Sequence, residues 1–355
     1  MDATPFHAAP LPTGRAGLHA RSVAIWMLAC CALLVAMVVV GGVTRLTHSG
    51  LSIVEWQPFV GTVPPLDAAQ WEDAFARYRA TPEFRLVNRD MTLDGFKRIF
   101  WWEYGHRLLG RTIGLVFVLP LIWFLWRRRI DRALAQRLAL IFALGLAQGA
   151  VGWWMVQSGL VDDPKVSPLR LTAHLGIAIF IYAAMFWTAL DLLAPGSRIA
   201  VLHRPHRLAS PALAIAALVF LMILSGGLVA GARAGFAYNT FPLMDGRWIP
   251  HGVFGADPWF ASPWRDLTTV QFDHRVLAWL LAAAIPLFWW RVQRSDAGND
   301  AKRAAFWLLV AFALQVALGI ATLVMRVPVP VAAAHQAGAV VVFTAALWVA
   351  HRLRR

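Results

Sequence analysis

Four histidines lie inside long apolar runs: His106, His174, His274 and His335. An ionisable side chain in a membrane-length apolar segment is costly to place and marks a functional site by default. The chain has 11 histidines. His7, His19, His203, His206 and His351 fall in basic segments outside the runs, and His48 and His251 fall in loops at the opposite ends. The four within the runs share one depth, within about two turns of the same end of a helix, roughly 5–10 Å inward at 1.5 Å per residue. Two per half of the chain offer two imidazoles on two different helices. That arrangement suits a bis-imidazole haem iron in each half. Zinc would require three or four ligands from one neighbourhood. Iron–sulfur clusters require thiolates, and the only cysteines, Cys30 and Cys31, are adjacent within an apolar run.

The residues around these histidines add to the chemistry. Arg107 and Arg275 directly follow two of them, and Arg45 and Arg233 stand just past the ends of two other runs. All four are candidates for the carboxylates of haem propionates, which guanidinium groups bind in bidentate fashion; interfacial snorkelling is the simpler alternative. Glu103 precedes His106 by three residues and so shares its helix face. The matching residue before His274 is Gln271. One half therefore keeps a carboxylate able to move protons beside its iron site, and the other has an uncharged isostere. This difference makes the first half the candidate reaction site and the second the seat of a resident haem. An interfacial Glu paired with an arginine is the alternative reading.

Elements of a particular kind must hold these groups. The chain has 355 residues, 59% hydrophobic and only 15% charged, where soluble domains carry about 25% charged residues. Eight runs are long enough to span a bilayer, at about 20 residues each: 23–43, 100–126, 138–157, 171–193, 211–232, 270–290, 304–325 and 331–349. The net charge of +14 is distributed unevenly. The tails and the segments after runs 2, 4 and 6 are all net basic, as in Arg127, Arg128, Arg129, Arg132 and Arg137 against Asp131. The loops after runs 1, 3 and 5 balance to zero. A positive-inside distribution places both termini in the cytoplasm and the four histidines toward the outer side. It also accounts for the basic charge without nucleic acid.

The landmarks occur twice in the same order. Gly41-Gly42 is echoed by Gly226-Gly227, Glu103 to Arg107 by Gln271 to Arg275, Gln148 and Gly152 by Gln315 and Gly319, and Ala173-His174 by Ala334-His335. The expected fold is an all-α integral membrane protein, with eight transmembrane helices as two tandem four-helix bundles related by pseudo-two-fold symmetry. The expected divisions are a cytoplasmic tail at 1–22, a first half at 23–193 with a long outer loop at 45–99, a cytoplasmic linker at 194–210, and a second half at 211–355. Within the long loop, Leu66–Tyr78 with Trp71, Phe75 and Tyr78 reads as a short amphipathic helix, suited to a lid or to docking.

The sequence resembles the haem A synthases of bacteria and mitochondria along nearly its whole length. The resemblance is carried by Gly41-Gly42-Val43-Thr44-Arg45-Leu46-Thr47 with Ser49-Gly50-Leu51-Ser52, and by Glu103-Tyr104-Gly105-His106-Arg107-Leu108-Leu109-Gly110-Arg111. Ala230-Gly231 through Tyr238-Asn239-Thr240-Phe241-Pro242-Leu243-Met244 and the later histidines complete it. The lack of a cysteine pair in an outer loop makes the chain more similar to the proteobacterial and mitochondrial branch. The resemblance implies oxidation of the C8 methyl of haem O to a formyl group by successive hydroxylations, in a bacterial inner membrane. It implies His106 and His174 as ligands of the substrate haem O, and His274 and His335 as ligands of a haem b that passes electrons. It further implies Glu103 as acid/base, with haem O synthase and cytochrome oxidase assembly proteins as neighbours and an unnamed electron partner. A non-catalytic di-haem electron carrier of the b type is the alternative, and it leaves the Glu103/Gln271 difference without a role.

Overall fold

A computed structural model describes residues 15–57, 60–194 and 205–354. The first 14 residues of the expected tail, with His7, and most of the expected linker, with Arg198, His203 and Arg204, lie outside the described residues. Eight helices are long and apolar enough to cross a membrane. They are α1 (Arg15–Leu46), α4 (Leu93–Trp126), α5 (Arg132–Gln157), α6 (Pro168–Leu193), α7 (Ala209–Ala232), α9 (Leu267–Gln293), α10 (Asn299–Val324) and α11 (Val329–Arg354). Three short helices, α2 (Ala68–Arg79), α3 (Pro82–Leu86) and α8 (Ser262–Arg265), belong to the loops. Among the described residues there is no strand, only an isolated bridge between Met244 and Arg247. The protein is a multi-pass helical membrane protein.

The long helices form an inner and an outer set. In α1, α6, α7 and α11, 33–44% of the most apolar window is buried inside the protein, against 6–22% in α4, α5, α9 and α10. With lipid as apolar as leucine, close backbone approach through small residues holds the inner set together. A Cβ on Gly231 would meet the Pro168 backbone at 2.7 Å, and one on Gly227 would meet Thr172 Oγ1 at 3.0 Å, so α6 and α7 touch through glycines. Tyr182 and Thr344 hydroxyls hydrogen-bond at 2.6 Å between α6 and α11. Gln336 of α11 donates to the Val38 carbonyl of α1 at 3.0 Å.

The loop helix forms close to its expected place. Asp67 caps α2 by accepting from the Gln70 N–H, and Trp71, Ala74, Phe75 and Tyr78 are buried. They pack on Phe96 and Phe100. That contact explains a difference from the sequence reading: α4 starts at Leu93, capped by the Thr92 side chain, about two turns before the apolar run. The extension is paid for by aromatic packing against the loop rather than by lipid.

Candidate functional site

Each of the four histidines stands on a different helix, and each lies in a notch left by a glycine of the preceding long helix. A Cβ on Gly41 of α1 would lie 2.9 Å from His106 Nε2. One on Gly152 of α5 would lie 2.7 Å from His174, one on Gly226 of α7 3.4 Å from His274, and one on Gly319 of α10 2.8 Å from His335. Glycine is required at these positions for close approach. His106 and His174 are near enough to act on each other electrostatically, and so are His274 and His335.

The rings are held in matching ways. Gln148 donates to the His174 carbonyl at 2.9 Å and reaches its Nε2 at 3.4 Å. Gln315 donates to the His335 carbonyl at 2.9 Å and reaches its Nδ1 at 3.1 Å. The Ser225 hydroxyl meets His274 Nδ1 at 2.7 Å. His174 Nδ1 is buried without a hydrogen-bond partner. In His174, His274 and His335 one ring nitrogen is thus met by a side chain of a neighbouring helix, the arrangement that second-shell bonds give metal-ligating imidazoles. Among the described residues no three metal-binding side chains cluster. The donor sets are pairs of imidazoles, which suit haem iron.

Glu103 is buried, with 3% of its surface exposed. Its Oε2 accepts from the Ser52 hydroxyl at 2.8 Å and the Ile53 N–H at 2.9 Å. Its Oε1 accepts from Arg107 at 2.7 and 3.1 Å. The arginine pairing is therefore present. Arg107 also donates to the carbonyls of Ile53 and Glu55 at 2.6 and 2.7 Å. Arg275 does the same to Tyr238 and Thr240, at 3.1 and 2.9 Å. Both arginines fasten the loop that follows the first helix of their half. Gln271 donates to the Tyr238 carbonyl at 2.9 Å, while its Oε1 and Arg275 Nε are buried without partners. Aligned on the glycine pairs, Ser52 corresponds to Ala237. The hydroxyl and the carboxylate are both absent from the second half.

Arg45 and Arg233 reach across the molecule. Arg45 donates to the carbonyls of Ala230 and Gly231 at 3.1 and 3.3 Å, near the C-terminus of α7, where helix carbonyls attract cations. Arg233 Nη2 lies 2.8 Å from His48 Nδ1. His48 and Arg233 have φ of 55° and 57° and occupy the same place after the glycine pair. By that alignment the counterpart of Arg45 is Ala230 rather than Arg233.

Residues 24–347 match the family described as cytochrome oxidase assembly protein, COX15-CtaA. The chain belongs to this family. It is 56% identical over 335 residues to the heme A synthase of Nitrosospira multiformis, covering 94% of each chain. It is 54% identical over 332 residues to that of Nitrosomonas eutropha, covering 93% of each. It is 48% identical over 335 residues to that of Parvibaculum lavamentivorans, covering 94% of this chain and 95% of the relative. In this member of the family, sequence reasoning gave no role to Ser52, which it read only within the resemblance, or to Ser225 and Glu83. The first two are small hydroxyls within apolar or loop sequence and carry no periodic signal. Glu83, in α3, is 5% exposed. Among the described residues its carboxylate accepts one hydrogen bond, a long one from the Tyr78 hydroxyl at 3.5 Å. Burial, then the charge of Glu103, pushes its carboxyl up to about 7.

Proposed function

We propose that this chain is a haem A synthase, an oxidoreductase that converts the C8 methyl of haem O to the formyl group of haem A. The near-complete coverage of relatives bearing that name carries the reading. The paired, glycine-notched histidines support it. In this reading residues 23–193 and 211–355 are two four-helix halves, and the recurring His–Gly and Arg–carbonyl contacts support that division. His106 and His174 hold haem O. His274 and His335 hold a haem b, which when bound supplies one-electron transfer. The basic segments place both termini in the cytoplasm and the histidines toward the outer side of a bacterial inner membrane.

The chain's own residues position the substrate and handle protons. Gln148 and the Gly152 notch orient His174, and the Gly41 notch orients His106. Glu103, one helical turn outward of His106, receives and returns protons during the successive hydroxylations, with its Oε atoms steered by Ser52 and Arg107. Arg45 and Arg233 stand at the same end, where propionates would be neutralised. Arg107 and Arg275 have remaining guanidinium surface for that role but act first as loop fasteners. The neighbours of the reaction are haem O synthase as supplier, cytochrome oxidase assembly proteins as recipients, and an electron partner.

A di-haem electron carrier would use the histidines equally well but gives no role to a carboxylate kept in one half alone. The deciding experiment expresses the chain in membranes that make haem O and lack haem A, then extracts and weighs the haems. Haem with the mass of the formyl product, or of its hydroxymethyl precursor, is expected. Unmodified haem O on a folded, haem-loaded protein, with an electron partner present, would refute the proposal.

A further inference from the structure

Among the described residues, two of the chain's 19 acidic side chains are buried: Glu83 and Glu103. Both belong to the first half, and the outer loop of the second half buries no acid. A buried carboxylate is costly unless it is paired and hydrogen-bonded. Glu103 meets that condition, with donors on both oxygens. Glu83 does not, since only the long bond from the Tyr78 hydroxyl reaches it, and that hydroxyl itself accepts from Asn88 at 2.7 Å. Arg45 and Arg233 act on Glu83 electrostatically but direct their guanidinium groups to the α7 carbonyls and to His48. One aromatic unit holds the two acids. Tyr78 stacks on Phe96 at 5.2 Å, and Phe84, next to Glu83, packs on the same cluster as Ile53, whose N–H reaches Glu103. The two carboxyls are near enough to act on each other electrostatically. An acid kept only to brace the loop would be given donors or a cation. Glu83 instead sits where a neutral carboxyl and a carboxylate are both attainable near neutral pH, with its carboxyl at about 7.

We propose that Glu83 is the proton-loading site of the first half, the group that takes the proton collected by Glu103 and passes it to the water outside. The inference rests on the reading that Glu103 moves protons during the oxidation of haem O, and it adds where those protons go next. In the step, neutral Glu103 gives its proton to the Glu83 carboxylate. One O–H bond breaks, one forms, and no electron moves. Glu103 returns to its ion pair with Arg107, and Glu83 becomes a neutral acid that later releases the proton to solvent. The two side chains do not bond each other directly, so the proton crosses by way of intervening water. The titratable and charged groups facing Glu83 are Tyr78 of α2, Glu103 of α4, Arg45 of α1 and Arg233 after α7. Glu83 acts through Glu103 and does not touch the reacting methyl.

The test follows haem A formation by the full chain in isolated membranes that supply haem O and an electron partner. Glu83 must be ionised to accept a proton, so the wild-type rate should rise roughly tenfold from about pH 6 to about pH 8. Glu83→Gln should lower the rate at the upper end by about tenfold or more and flatten the profile, with haem content and the haem b spectrum unchanged. Glu83→Asp keeps an acid and should retain the rising limb with its midpoint moved. A second readout is independent of turnover. Infrared difference spectra of purified full-length protein over the same pH range should show a protonated carboxyl band that disappears near the midpoint of the wild-type rate profile and is missing in Glu83→Gln. Should Glu83→Gln fail to load haem, Glu83→Asp decides alone, and an unmoved midpoint of both the rate and the band would overturn the proposal. A wild-type rate and pH profile in Glu83→Gln, or a carboxyl band that this variant leaves unchanged, would also overturn it. Failure of the underlying reading looks different: wild-type membranes would form no haem A at any pH, or Glu103→Gln would form it as wild type does.

Discussion

The contact between Ser52 and Glu103 can be tested by a double-mutant cycle, because the second half already contains the doubly substituted form. Glu103 takes two donors on each oxygen: Ser52 and Ile53 on one, Arg107 on the other. A hydrogen bond to a charged group contributes about 1.5–3 kcal/mol, against about 0.5–1.5 kcal/mol for a neutral pair. Ser52→Ala in the wild type should therefore cost about 2 kcal/mol. In a Glu103→Gln background the same change should cost about 0.5 kcal/mol, giving a coupling of about 1.5 kcal/mol. Glu103→Gln alone should be tolerated better than the 3–5 kcal/mol typical of breaking a buried ion pair. The reason is that Arg107 keeps two backbone carbonyls, as Arg275 does beside Gln271. The assay is unfolding by denaturant in mixed micelles, with haem A formation measured in parallel. Ser52→Ala is expected to slow product formation. Glu103→Gln is expected to abolish it while the haem b spectrum stays. Equal cost of Ser52→Ala in both backgrounds would refute the claim that the hydroxyl acts through the carboxylate.

Three further outcomes are expected. Glu83 has its pKa raised from 4.5 to about 7, so the folded loop binds more protons than the unfolded loop between those values. Its contribution is complete below pH 4.5 and is lost as pH rises through 7, on the order of 3 kcal/mol at most. Hydrogen exchange in α2 and α3 should accelerate from pH 5.5 to 8, and Glu83→Gln should remove that dependence; a flat wild-type profile would count against it. The groups facing Glu83 are Tyr78, Glu103, Arg45 and Arg233. Gly319→Ala places a Cβ 2.8 Å from the His335 ring, so it should deplete haem b while helix content measured by circular dichroism is unchanged; full haem b occupancy would show that the notch does not set the ring. His274→Leu should lose the stable b-type spectrum, and an unchanged spectrum would reject that histidine as a haem b ligand.

The sequence made the helices and the histidines legible for physical reasons. A run of 20 apolar residues has few alternatives to a spanning helix, and a histidine within it stands out against that background. The repeated Gln148/Gly152 and Gln315/Gly319 pairs were visible as landmarks, but their purpose required the third dimension. Each glycine, four residues after its glutamine, makes room for an imidazole on the following helix, and each glutamine holds the backbone and ring of that same histidine. The start of α4 was placed too late because Phe96 and Phe100 pack on the loop helix, a long-range contact that no local hydropathy window reports. Glu83 was hidden for a related reason: its burial comes from tertiary packing of the loop. The amphipathic pattern of Trp71, Phe75 and Tyr78 was legible because three aromatic residues on one helix face need a partner surface.

The asymmetry between the halves reaches beyond one side chain. Aligned on the glycine pairs, the first half has Ser52 where the second has Ala237, and aligned on His106 and His274 it has Glu103 where the second has Gln271, while the loop-fastening bonds of Arg107 and Arg275 are kept. The fastening function therefore does not require the carboxylate. Gln271 and Arg275 leave buried polar atoms unpaired in the second half, so the scaffold tolerates loss of the ion pair at some cost. If loop anchorage were the whole role of Glu103, a glutamine with Arg107 bound to carbonyls would serve, as it does beside His274. The retained acid, its serine donor and the nearby buried Glu83 instead concentrate exchangeable protons at the end of the half where the proposed methyl oxidation must release them.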